Sequence, residues 1–251
     1  IISVFLFSTG TFILGHLNTI NVSANAAIDE DNSVNELLKP FIKDNKINVL
    51  LLVGDKSEAN TDTIMLASLD TRENTLNVLS IPRDTRVNIE SSFPKINSLY
   101  AKKNGPKLLK DTINEMLGIK VDYYVYLNIK TFRKIIDMLD GVYIDVPVDM
   151  HYDDPTQDLH IHLNKGYQLL DGAKAEQYLR FRHPNDSNYS QEMLKYYDGS
   201  DLKRINAQQN FIRELIKQKA NIKYISKLDD IVKTVFDNIE TDITLSEALK
   251  I

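Results

Sequence analysis

The chain has 251 residues, 43% of them apolar and 26% charged, which excludes a disordered polypeptide and provides for a substantial core. Lysine and arginine total 30 against 35 aspartates and glutamates, a formal net charge of −5. Bulk nucleic acid is therefore a poor electrostatic match, and any bound anion needs a local cluster of cations. Cysteine is absent, which removes disulfides, thiolate metal sites and a cysteine nucleophile.

Residues 1–20 carry no charge, and the first ionised side chain is Asp29. A run of that length suits a membrane-spanning helix, and residues 1–25 are expected to be an anchor. A signal peptide cleaved near Ala24 and Ala26 and a buried core helix are the competing readings. The first two place the remainder outside the cytoplasm. Residues 26–46 read as a polar linker with a short helix near Glu36–Ile42, and residues 47–251 as one globular domain.

Ile47–Val53 is a continuous apolar run ending at Gly54, the pattern of a strand buried on both faces. Thr63–Leu69 and Thr75–Ile81 predict two further strands joined by a hairpin turn at Arg72–Thr75. Helical spacing marks Leu108–Leu117, between Pro106 and Gly118. A strand over Tyr123–Asn128, a helix over Thr131–Leu139 and a strand over Val142–Val146 follow. Asp171–Arg182 and Asp201–Lys219 read as helices, with Asp201 as an N-cap. This alternation predicts an α/β fold, a single domain with a central mixed sheet flanked by helices on both faces. His160 and His162 alternate in a strand and read as surface residues.

Four polar clusters punctuate these elements. Asp55 follows the first buried strand and Asp62 opens the next, an arrangement suited either to Mg²⁺ or to plain turn and capping roles. Arg83 and Asp84 follow Pro82 at a strand end, where a guanidinium fork suits phosphate but a surface ion pair is the simpler reading. Arg180 and Arg182 lie two apart beside a helix end, with Glu176 and Asp186 as nearby acids. Asp201, Arg204 and Gln208 share one helix face, where Asp201 and Arg204 also fit an ordinary salt bridge. Most positive charge is on lysine, yet five of the eight arginines fall in or beside these motifs. Arginines from three segments together with paired acids suggest phosphoryl chemistry without a P-loop.

The run INVLLLVGD, TDTIMLASLD, LNVLSIPRDTRV, KINSLYA, LDGAKAEQYLRFRH and DLKRINAQQNFI, in that order across residues 47–219, resembles the LytR-CpsA-Psr family of Gram-positive cell walls. The resemblance implies a single N-terminal membrane helix and an extracytoplasmic α/β domain. It implies a phosphotransferase that moves an anionic glycopolymer, such as teichoic acid or capsule, from a polyprenyl-pyrophosphate carrier onto peptidoglycan. A non-catalytic polyprenyl-phosphate binding or regulatory protein and a lipid-linked pyrophosphatase are the alternatives. By the same resemblance Asp55 and Asp62 hold Mg²⁺, and Arg83, Arg180, Arg182 and Arg204 clamp the pyrophosphate on one concave site. Lys95 and Gln208 add head-group contacts, Asp201 orients an arginine, and Asp84 or Asp62 is the candidate base. Asn60 stands where members often carry arginine, which removes one expected phosphate contact.

Overall fold

A computed structural model describes residues 19–23, 41, 46–55, 60–70, 72–73, 75–88, 95–156, 158–186, 189–219, 236, 238–244 and 247. The strongest local signal, the apolar run at residues 47–53, becomes strand β2 (Lys46–Asp55). It pairs antiparallel with β3 (Asn60–Asp70), which returns as β4 (Thr75–Ile81), and parallel with β5 (Tyr123–Asn128). Strand β1 (Thr19–Ser23) lies parallel to β4, and β10 (Ile239–Thr241) lies antiparallel to β5. The result is a six-stranded mixed sheet in the order β1-β4-β3-β2-β5-β10, the α/β architecture expected from the sequence.

Chain contacts divide the protein into two compact units, residues 1–131 with 221–251, and residues 132–220. In the first unit, cross-strand pairs Leu50 with Leu66, Leu52 with Ile64, and Ile64 with Ile81 stack apolar side chains on one sheet face. Helix α1 (Gly105–Leu117) adds Leu109 and Ile113 to the same cluster. Pro106 opens this helix, where a missing N–H costs nothing, and Gly118 closes it at φ 65°, a left-handed conformation that glycine adopts without strain. Leu51, Met65 and Ala67, which point to the opposite face, are also buried. That explains why β2 carries no polar alternation.

The hairpin between β3 and β4 is fixed by Asp70, whose carboxylate accepts from the backbone N–H groups of Arg72 and Glu73, each at 3.0 Å. Strand β10 is tied in by side chains. The Tyr100 hydroxyl donates to Glu240 at 2.6 Å, and the Tyr100 ring stacks on Tyr126 with centroids 4.5 Å apart. Burial first, and then the Glu240 carboxylate, push the Tyr100 hydroxyl well above its ordinary pKa.

The second unit contains most of helix α2 (Ile129–Met138), strands β6 (Val142–Val146), β7 (Met150–Asp154), β8 (Leu159–Leu163) and β9 (Gly166–Leu170), and helices α3 (Gly172–Arg180), α4 (Gln191–Tyr196) and α5 (Asp201–Lys219). β6 pairs antiparallel with β9, and β7 with β8. Its core is aromatic: Phe211 of α5 lies against Phe132 and Tyr178, and Phe181 meets Tyr197 edge-on at 5.0 Å. Gly172 lets α3 begin against α2, since a Cβ there would sit 2.2 Å from the Arg133 carbonyl oxygen.

Three local expectations change. Residues 151–158 and 185–199, to which the sequence assigned no element, contain most of β7 and helix α4. Helix α3 stops at Arg180 rather than 182, because Phe181 turns extended to bury its ring. Within the expected anchor, Thr19–Ser23 is sheet, in keeping with the β-branched content of TINVS. Residues 1–18 and 24–40, the rest of the anchor and most of the linker, lie outside the described residues. Among the described residues no helix is long and apolar enough to cross a membrane.

Candidate functional site

In the first unit the motifs at β2–β3, after β4, and at Lys95 assemble into one local structure. Pro82 ends β4, and the chain turns so that the Thr85 N–H and hydroxyl both donate to the Pro82 carbonyl, at 3.0 and 2.7 Å. The segment returning at Lys95–Ser98 zips onto this turn. Ile96 N–H donates to Thr85 O at 2.9 Å, Asn97 N–H donates to Arg83 O at 3.2 Å, and Arg86 bridges Lys95. Arg83 is thereby aimed at Asp62 of β3, Nη1 to Oδ1 at 2.8 Å, with both side chains about one-fifth exposed. Lys95 reaches Asp84 at 2.7 Å on a more open surface. Backbone pairing sets Asp55 opposite Asn60 at the same end of the β2–β3 ladder that carries Asp62. The side chains of Asp55 and Asn60 are outside the described residues.

The second unit builds two nodes in which one carboxylate serves two guanidiniums. Glu176 of α3, 3% exposed, accepts from Arg180 at 3.0 Å one helical turn on and from Arg133 Nε on α2. Asp201 sits in the first turn of α5, where the helix dipole favours a negative charge. It meets Arg204 Nη2 at 2.6 Å and Arg182 Nη2 at 3.8 Å. Asp201 is therefore the charge partner of both arginines, and Gln208 lies buried one turn beyond Arg204. The two arginines differ. Arg204 is 6% exposed and held at short range, while Arg182 is 31% exposed, with Nη2 at 3.4 Å from the Gly199 carbonyl. Nε is buried in both, so exposure and contact length are what distinguish them. Arg182 is the more exposed guanidinium and the one held by the longer contacts.

Arg133 was not apparent from the sequence, because its partner Glu176 is 43 positions away. A second group that the sequence left as surface is Asp153, His160 and His162 on the β7–β8 ribbon. The Asp153 carboxyl is held below its ordinary pKa, first by the hydrogen bond with His160 and then by that with His162.

The described residues define an α/β protein with a mixed sheet and arginine–carboxylate nodes at strand and helix ends. The LytR_cpsA_psr family matches residues 11–251, and the chain belongs to that family. It is 30% identical over 220 residues to the regulatory protein MsrR of Staphylococcus aureus, covering 85% of this chain and 62% of that protein. It is also 30% identical over 197 residues to the polyisoprenyl-teichoic acid–peptidoglycan teichoic acid transferase TagV of Bacillus subtilis, covering 76% of this chain and 47% of TagV. The chain thus spans roughly half to three-fifths of the length of these curated relatives. The crystal structure of B. subtilis TagV superposes with TM-score 0.64 at 28% identity, covering 83% of this chain and 78% of that one. TagT bound to LI-WTA superposes with TM-score 0.59 at 25% identity, covering 92% and 81%.

Proposed function

We propose that the protein is a cell-wall phosphotransferase that moves an anionic glycopolymer from a polyprenyl-pyrophosphate carrier onto peptidoglycan. The observation that carries this reading is Arg182, 31% exposed, which shares Asp201 with Arg204 but among the described residues is held only by long contacts at Nη2. Such a fork suits a pyrophosphate oxygen better than it suits its present neighbours. The resemblance to TagV, whose name states this reaction on teichoic acid, supports it.

In this reaction a peptidoglycan hydroxyl attacks the phosphorus next to the glycan. The P–O bond to the carrier breaks, polyprenyl phosphate leaves with the bond electrons, and the hydroxyl proton passes to a base. Asp84 and Asp62 are the candidates for that base. Arg83, Arg180, Arg182 and Arg204 take up charge on the phosphate oxygens, with Lys95 and Gln208 as head-group contacts and Asp201 orienting Arg182 and Arg204. Oxygen donors at one end of β2–β3 fit Mg²⁺, and Asp55 and Asp62 would hold it, with Arg83 fixing the position of the Asp62 carboxylate. Mg²⁺, when bound, supplies charge neutralisation for the pyrophosphate. An uncleaved N-terminal anchor would hold the domain on the extracytoplasmic face. Protease treatment of intact cells together with N-terminal sequencing tests that placement.

The name of MsrR supports a second reading, a regulatory protein that binds polyprenyl phosphate without turnover. Incubation with Mg²⁺, a synthetic lipid-linked glycan and peptidoglycan oligomers separates the possibilities. Linked product supports transfer, free phosphorylated glycan indicates a pyrophosphatase, and neither product favours the binding protein.

A further inference from the structure

The β7–β8 ribbon carries a second polar site that the transfer reaction does not use. Its inner face is apolar, with Met150, Ile161 and Leu163 buried. On the outer face, pairing sets His151 opposite His162 and Asp153 opposite His160. Residues two apart on a strand, and residues directly opposite across a ladder, share a face. Four potential ligands therefore stand together at the corners of one patch.

The contacts are mutual. His160 Nδ1 lies 2.6 Å and His162 Nε2 3.1 Å from the same carboxylate oxygen of Asp153, while the Nδ1 atoms of His151 and His162 are 3.5 Å apart. The side chains of Asp153, His160 and His162 are 45–56% exposed, open to an ion from solvent. We propose that this face binds a divalent transition-metal cation of the zinc class through His160 Nδ1, His162 Nε2 and the Asp153 carboxylate.

Two imidazoles and one carboxylate suit zinc and its neighbours rather than Mg²⁺, which takes oxygen donors. With metal–ligand bonds of about 2.0–2.1 Å, tetrahedral ligands stand about 3.3 Å apart. His162 and Asp153 already have that spacing within a few tenths of an ångström, His160 stands somewhat closer to Asp153 than a shared metal requires, and all three ligand atoms lie within 4.8 Å of one another. His151 acts as a positioning residue. When His162 Nε2 holds the metal, its Nδ1–H is free to donate to His151, which fixes the ring's tautomer and orientation. The backbone beneath is braced as well. Asn185 accepts from Asp153 N–H at 2.6 Å and donates to Asp153 O at 2.8 Å. A simple ion pair with Asp153 would require neither two imidazoles on one oxygen nor a third behind them. Three protein ligands leave one coordination position for water or a ligand oxygen, and they staple β7 to β8 across the hairpin.

The test is titration of the full chain with Zn²⁺ against a chromophoric chelator, repeated with Co²⁺ to read the visible bands of a low-symmetry site. One equivalent should bind. Asp153→Asn and His162→Ala should each weaken binding by at least about 100-fold, and His151→Ala by about 10-fold. His183→Ala should leave it unchanged, since that ring bonds the Pro184 carbonyl and packs on Tyr152. Asp153→Asn preserves side-chain shape, and an unchanged melting temperature in metal-free buffer shows that the variant is folded. Absence of saturable binding below about 100 μM, or affinity retained in Asp153→Asn and His162→Ala, overturns the proposal. Neither result depends on glycopolymer transfer.

Discussion

The site motifs of the two units handle charge differently. In the first, Arg83 holds Asp62 and Lys95 holds Asp84 on side chains 22–49% exposed, near the surface where water shares the task. In the second, Glu176 is 3% and Asp201 14% exposed, and each is shared by two guanidiniums. Surface pairs contribute little to stability, whereas removing one member of a buried pair strands its partner. The Glu176 and Asp201 nodes should therefore be intolerant of substitution at the acid, with one adjustable member, Arg182. The pairs of the first unit should tolerate change in structure and show it mainly in chemistry.

The largest expected effect is at Glu176. Glu176→Ala leaves Arg133 and Arg180 without their shared carboxylate, and urea unfolding should register a loss of about 3–5 kcal/mol. A loss under about 1 kcal/mol would erase the contrast between the units. Arg204→Ala comes next at about 3 kcal/mol, because it removes the guanidinium at 2.6 Å from Asp201 and leaves Arg182, at 3.8 Å, as the other guanidinium on that carboxylate. Asp70→Asn should cost about 1 kcal/mol at pH 7, with a characteristic pH dependence. The Asp70 carboxyl lies below its reference pKa of 3.8, chiefly because the Glu73 N–H donates to it, with Arg72 N–H and Lys46 adding to the effect. A depressed acid stabilises the fold above the unfolded pKa and loses that contribution as pH falls through the lower folded value. The difference between wild type and Asp70→Asn should thus be constant above about pH 5 and shrink below about pH 4.

Two smaller stability effects sharpen the comparison. Asp62→Asn should change the unfolding free energy by less than about 1 kcal/mol, yet reduce transfer by weakening the fixed position of Arg83. Arg182→Ala should alter stability least of all, within about 0.5 kcal/mol, and abolish transfer. Arg182→Lys should rescue poorly, since it restores the charge without the fork. A variant that unfolds like Arg204→Ala, or that keeps full transfer, would show Arg182 to be structural or idle.

The central strands were legible because each carries a signal that depends on few neighbours. INVLLLV announces a buried strand by its composition, and the ends of α5 match the expected Asp201–Lys219 helix. Elements defined by their partners were not legible. HYDD looks like polar loop until register pairs Asp153 with His160, and IET is too short to announce β10. The site divides in the same way. Arginines near strand and helix ends stood out as motifs, and Arg180 with Glu176 is a local i, i+4 pair. The sharing of that acid with Arg133 arises from packing of α2 on α3, made possible by Gly172.

The order of the strands also bears on how the chain is made. Strand β10 pairs with β5, and the Tyr100–Glu240 bond closes a separation of 140 positions. The intervening stretch, residues 132–220, is a compact unit of its own. During synthesis residues 132–220 leave the ribosome before β10, so β5 lacks that partner until residues 239–241 arrive. A stalled or shortened chain that ends before residue 239 would expose the β5 edge to other nascent chains.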